Sequence, residues 1–131
     1  MAFGARGLDV TYRCVTDLST KQYYAVSISA NHTVGLAGDA GKVIGILQNK
    51  PNGTVGESAV VRISGLSKCV VGYAASTQHL LTSDAAGKGV RTAAADEWIF
   101  GVVTDSGDNT VADGDVITVQ IMQGKANAAD A

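Results

Sequence analysis

The residues with chemical potential in this chain are few and scattered. Its only histidines are His32 and His79, and neither stands at metal-ligand or triad spacing from a cysteine or carboxylate. Each reads as a surface or capping side chain. Asp105, Asp108, Asp113 and Asp115 form the best candidate for a cation, because clustered carboxylates are what Ca²⁺ requires. Their spacing misses the EF-hand pattern, and Asp105-Ser-Gly-Asp-Asn and Ala112-Asp-Gly-Asp are also ordinary turn sequences. Gly35-Leu-Ala-Gly-Asp-Ala-Gly-Lys-Val43 has glycines in the wrong places for a phosphate loop, and Val43 stands where a hydroxyl should hold the metal. No Gly-x-Ser-x-Gly elbow occurs. Asn31-His-Thr33 and Asn52-Gly-Thr54 match the glycosylation acceptor pattern and also read as turns. Cys14 and Cys69 lack a CxxC partner and are expected to be reduced and inert. The expectation is no catalytic residue, no metal and no cofactor.

The elements around these residues have a period of two. In Tyr23–Ser29, Tyr24, Val26 and Ile28 share one face. In Ala59–Ser64, Ala59, Val61 and Ile63 do the same. Val43–Leu47, Leu66–Val71, Trp98–Thr104 and Val116–Met122 read as further strands, with Trp98 and Phe100 as core residues. Gly, Asn, Asp and Ser cluster between them, as turns require. About eight short strands predict an all-β fold, a small single-domain β-barrel or β-sandwich over residues 21–123 with an extended N-terminal arm. Its expected core includes Ile28, Ile46, Val61, Ile63, Val102, Ile117 and Val119. Thr92–Glu97 is the one stretch suited to a helical turn, with Thr92 as a cap.

An echo runs at an offset of 56. Gly45-Ile-Leu matches Gly101-Val-Val, Thr54-Val55 matches Thr110-Val111, and Val60–Ile63 matches Val116–Val119. The even offset keeps inward and outward parity, which points to two related β-hairpin units closing one domain.

With 131 residues, the chain suits one domain with a real core. Ten basic against twelve acidic residues give a net charge of −2, without the basic field of a nucleic-acid binder. No apolar run has the length of a membrane span, so neither nucleic acid nor membrane is an expected partner. The first nine residues contain no apolar run, and a secretory signal is not expected.

The ends differ from the middle. Residues 1–20 lack sustained alternation and read as an arm, and residues 124–131 as a short polar tail. Phe3, Leu8, Val10, Tyr12 and Val15 are apolar groups that a short barrel need not bury, and Leu8, Val10 and Tyr12 share a parity. Arg6 and Arg13 suit carboxylates on a partner. The arm is therefore expected to order on a neighbour by strand addition or groove docking. The alternative is that it supplies the first strand of its own domain.

Across residues 20–122 the chain resembles the tailed-phage capsid cement, or head decoration, proteins. The resemblance rests on Tyr24-Ala-Val-Ser-Ile-Ser-Ala-Asn-His-Thr-Val-Gly-Leu-Ala-Gly38, on Val43-Ile-Gly-Ile-Leu-Gln-Asn-Lys-Pro51 and on Gly56-Glu-Ser-Ala-Val-Val-Arg-Ile-Ser-Gly65. Ser67-Lys68, Leu81-Thr-Ser-Asp-Ala-Ala-Gly-Lys88 and Gly101-Val-Val extend it, and Ile44–Pro51 is its most specific part. It implies a non-enzymatic virion protein, made in the host cytoplasm, that binds the outside of an icosahedral head and braces capsomers. Its implied partners are the major capsid protein and neighbouring cement subunits, as a dimer or trimer at a local symmetry axis. A competing reading is a virion-surface module that binds a carbohydrate or receptor. The chain's seven aromatic residues are a thin supply of platforms for that role.

Overall fold

In a computed structural model of the chain, residues 7–52, 55–93, 96–107 and 111–125 are described. Among them there is no helix, and nine strands form the domain. In chain order these are β1 (Leu8–Cys14), β2 (Ala25–Ala30), β3 (Thr33–Leu36), β4 (Gly45–Leu47), β5 (Ser58–Val70), β6 (Leu80–Ser83), β7 (Gly89–Arg91), β8 (Trp98–Asp105) and β9 (Val116–Lys125). The all-β class read from the alternation is the observed one. The helical turn expected at Thr92–Glu97 falls partly on residues 94 and 95, which lie outside the described residues. Thr92 is buried, and its N–H donates to the Leu80 carbonyl at 3.0 Å as a continuation of the sheet edge.

The strands follow one circuit twice. β1 pairs with β3 in parallel, and β3–β2, β2–β4, β4–β5 and β5–β1 are antiparallel, so five strands close a barrel. β5 is a single 13-residue strand, where two separate strands are the reading from sequence. Gly65, at φ 90, lets it bend and enter a second set of partners. Its C-terminal half pairs with β9, then β9–β8, β8–β6 and β6–β7 follow, all antiparallel. A parallel bridge from Val71 to Gly89 closes this second circuit.

The correspondence reaches individual residues, at separations of 55–58 positions. Val26 faces Gly45 as Leu81 faces Gly101, and Leu47 faces Val61 as Val103 faces Val119. Cys14 N–H donates to the Glu57 carbonyl, and Val71 N–H to that of Asp115, both at 3.0 Å. Val15 N–H reaches the Val34 carbonyl, and Gly72 N–H that of Gly89, both at 2.9 Å. Positive φ recurs as well, at Gly56 (94°) and Gly114 (93°), and at His32 (53°) and Gly87 (82°). Even the buried hydroxyls without a hydrogen-bond partner, Ser27 and Thr82, are counterparts. The echo between Gly45-Ile-Leu and Gly101-Val-Val is thus the sequence trace of a repeat that spans all five strands of each unit. Its match of Val60–Ile63 to Val116–Val119 is corrected: the pairings make Val61 the counterpart of Val119 and Arg62 that of Gln120, two residues further on with the same parity. Its loop match at Thr54 and Thr110 lies outside the described residues.

Two apolar clusters fill the domain. One is the interior of the first barrel: Cys14, Leu18, Val26, Val34, Leu47, Ala59 and Val61. The other combines second-unit residues, among them Cys69, Leu81, Phe100, Val103, Ile117 and Val119, with Ala25, Ala37, Val43 and Ile46 of the first. The start of β2 and the whole of β4 are therefore buried on both faces. Val26 and Leu47 point into their own barrel, and Ala25 and Ile46 into the second unit. That explains why Val43–Leu47 is a continuous apolar run and not an alternation. Of the expected core, Ile46, Val61, Ile117 and Val119 are buried, while Ile63 and Val102 are half-buried. Ile28 is corrected: it is 48% exposed, because burial falls away along β2 toward the β2–β3 turn.

Candidate interaction surface

Phe3 and Arg6 lie outside the described residues. From Leu8 onward the expectation of a free arm is corrected. Leu8–Cys14 is β1, hydrogen-bonded to β5 on one side and meeting β3 on the other. The shared parity of Leu8, Val10 and Tyr12 is real, but that face turns toward the barrel it belongs to. Cys14 is buried, Tyr12 packs on the first cluster, Val10 is half-buried, and only Leu8 emerges, 56% exposed. Backbone pairing on both sides of one strand outweighs docking a loose arm elsewhere, since an unpaired barrel edge would leave N–H and C=O groups unmatched. Arg13 extends outward, and Val15, 39% exposed, lies over Gly35, where a side chain's Cβ would come within 2.7 Å of Val15 Cγ1.

Gly7 and Asp9 fix where β1 begins. A Cβ at Gly7 would collide with the Ser64 carbonyl, so the chain crosses β5 closely at the bend. Asp9 takes Arg62 in a bidentate pair, Nε to Oδ1 at 2.8 Å and Nη2 to Oδ2 at 3.2 Å. Arg62 Nη1 also donates to the Leu66 carbonyl at 3.0 Å, so one guanidinium ties β1 to both sides of Gly65. Leu8 pairs with Ser64, and Gly65 pairs with Ile121, next to Met122. Leu8 and Met122 (46% exposed) thus come out near the same bend.

The resemblance motif Ile44–Pro51 is built into the frame. The Asn49 side chain accepts from Val60 N–H at 2.9 Å and donates to the Ser58 carbonyl at 3.0 Å, continuing the β4–β5 ladder past its last backbone pair. Gln48 Nε2 donates to Ser67 Oγ at 2.8 Å, linking the first unit to the second half of β5.

The titratable candidates are occupied by structure. Asp105 accepts from Gly107 N–H at 2.8 Å, Asp115 from Ala112 N–H at 2.9 Å, and Asp113 pairs with Lys88 at 2.8 Å. Asp108 lies outside the described residues. Among the described residues no three His, Cys, Asp or Glu side chains come together as a metal site. Cys14 and Cys69 are free, buried and in different clusters. Burial pushes the Cys69 thiol up to about 12. His32 sits at the tip of the β2–β3 turn, its carbonyl accepting from Arg13 N–H at 2.8 Å.

One contact escaped the sequence reading. His79 Nδ1 accepts from Tyr73 Oη at 2.7 Å and from Ser76 N–H at 3.3 Å, which places the ring proton on Nε2. Burial and the nearby Arg91 charge lower the His79 pKa, and burial raises Tyr73 to about 12. The pair locks the loop between β5 and β6. Both ring nitrogen roles are set by that loop, and Tyr73 and His79 are six positions apart in a stretch without alternation, so no motif announces them.

Among the described residues no helix is long and apolar enough to cross a membrane. No family model, curated protein or solved structure matches the chain.

Proposed function

We propose that the chain is a structural virion protein, a cement or decoration subunit that binds the major capsid protein on the outer surface of a tailed-phage head and stabilises capsomer contacts. The observation that carries this reading is the place of the resemblance motif. Ile44–Pro51 and Gly56–Gly65 form β4, the Asn49 clamp and the bent β5, the parts on which both units are built. A resemblance concentrated there is a resemblance of the whole scaffold. Asp9, Arg62, Lys88, Asp105, Asp113 and Asp115 serve turns and strand contacts, which suits a protein that works by contact. A capsid presents one site many times, so each docking area can be modest.

The aromatic residues support this over sugar binding. Lys68 lies over Tyr23 at 5.6 Å and Lys21 over Tyr24 at 4.9 Å, while Trp98 Nε1 donates to the Val43 carbonyl at 3.3 Å. These groups are engaged within the domain.

Peptide mass spectrometry of purified virions from the phage that encodes the chain tests the proposal. The expected result is the chain in heads, at a copy number comparable with the major capsid protein, and heads lacking it that lose DNA at lower temperature. Virions without the chain, or with it only in tails, would overturn the reading.

A further inference from the structure

The two units of this chain meet through surfaces that each unit possesses, but only one of the two possible contacts is made. On the first unit, the Ala25–Ile46 pair of the β2–β4 ladder is fully buried, with both residues at 0% exposure in the cluster of the second unit. Around it, Ala25 N–H donates to the Gly87 carbonyl at 2.9 Å and Ala40 N–H to the Ser83 carbonyl at 2.8 Å. Ser83 Oγ donates to the Gly38 carbonyl at 2.5 Å. The first unit's β2–β4 face therefore sits on the end of the second unit's β6–β7 hairpin.

The repeat supplies counterparts of Ala25, Ile46, Gly38, Ser83 and Gly87. Ala25–Ile46 corresponds to Leu80–Val102, which are ladder partners in the same way and are half-buried. Gly38 corresponds to Ala93, which is exposed. On the receiving side, Ser83 (0% exposed) corresponds to Ile28 (48% exposed), and Gly87 to His32 at the tip of the β2–β3 turn. So one chain carries a second-unit face whose central Leu80–Val102 pair is only half-buried, and a first-unit hairpin end exposed at Ile28. These are the two halves of the contact that it already makes internally.

The contact is not self-complementary, since a β2–β4 face meets a hairpin end. Repeating it between chains gives a heterologous, head-to-tail association, which forms a ring if the rotation closes. We infer that copies of this chain assemble head to tail, the Leu80–Val102 face of one copy seating on the Ile28 hairpin end of the next. The occupant of both surfaces is a second copy of this chain. Exchanging Ser for Ile at the receiving position adds apolar area where the covalent link between units is missing. The inference stands on the repeat alone and is independent of the virion reading.

The test is the mass of the purified full chain by light scattering and native mass spectrometry, with Leu80→Glu and Ile28→Glu made separately. The expected result is a concentration-dependent oligomer for the unaltered chain and a monomer for each variant, folded by circular dichroism. An equimolar mixture of the two variants should give a one-to-one dimer and nothing larger, because each retains one intact half of the contact. Independently, Ile28→Cys combined with Ala93→Cys in one chain should oxidise to a ladder of cross-linked species. That measurement decides the matter if a glutamate variant does not fold. A monomeric unaltered chain, an oligomer insensitive to both substitutions, variant mixtures that stay monomeric, or oxidation that yields no ladder would each overturn the inference.

Discussion

Tyr23 and Gln78 are bulky residues held at positive φ, 70° and 73°, and each donates its N–H to the C-terminal half of a strand in its own unit. Tyr23 reaches the Leu47 carbonyl at 2.7 Å, and Gln78 that of Val103 at 2.9 Å. The next residues repeat the match: Leu47 N–H donates to the Tyr24 carbonyl and Val103 N–H to that of His79, both at 3.0 Å. A left-handed residue before β2 and before β6 turns the chain back onto β4 and β8. Neither position carries the glycine that usually fills such a site.

Gln78 is exposed, so its conformation can be tested without disturbing packing. Gln78→Gly should stabilise the domain by about 0.5–1 kcal/mol, because the left-handed region costs a residue with a Cβ about 1–2 kcal/mol and glycine returns part of that gain as chain entropy. Gln78→Val should destabilise it by about 1 kcal/mol or more, since β-branching tolerates this region least. Urea unfolding midpoints check the order, and a glycine variant weaker than the valine variant would contradict it.

The counterparts Gly45 and Gly101 should respond unequally to alanine. A Cβ at Gly45 would run into the Arg62 carbonyl of the neighbouring strand, whereas at Gly101 it would stand 3.1 Å from the Gln120 carbonyl. Gly45→Ala should therefore cost about 2–3 kcal/mol, at the upper end for overpacking, and Gly101→Ala about 1 kcal/mol. Thermal melts of the two variants give the comparison directly.

β1 is part of the barrel, and truncation tests its share in folding. Deleting residues 2–16 removes one strand of the closed barrel together with buried Cys14, and the remaining chain should not melt cooperatively. Deleting residues 2–6 leaves Gly7 and the Asp9–Arg62 pair in place, and its melting temperature should stay close to that of the full chain. Calorimetry of both deletions distinguishes them.

Cys69 links stability to alkaline pH. Its thiol is pushed from 9.0 up to about 12 in the folded chain, so the folded state favours the protonated form. The resulting stability is complete below the unfolded value and declines as pH rises from about 9 toward 12. In Cys69→Ala the alkaline decline should be shallower, as measured by urea titrations between pH 8 and 10.5. At pH 8.5, iodoacetamide should label Cys69 only as fast as the domain opens, with the rate rising in denaturant.

Much of this molecule was legible from period-two patterning. The identity of β2, β4, β8, β9 and both halves of β5, the parity of Ala59, Val61, Ile117 and Val119, and the echo between Gly45-Ile-Leu and Gly101-Val-Val follow from the patterning. By contrast, β1 reads as an arm, and the short β3, β6 and β7 carry too little alternation to read as strands. Alternation assigns residues to a common face, because successive side chains point to opposite sides of a strand. It does not say what that face meets. Leu8, Val10 and Tyr12 share a side whether it covers a partner or closes their own barrel, and only the pairing of β1 with β5 and β3 decides in favour of the barrel. Ile28 has the parity of Val26 but lies beyond the reach of the core. Gly65 could end a strand or bend one, and the second outcome depends on β9 arriving from 56 residues downstream to pair with Gly65 through Ile121. The sequence alone determined the class, the faces and a trace of the repeat. Tertiary structure decided which faces are covered and that the repeat is complete, because hydrogen-bond partners and covering layers come from residues far along the chain.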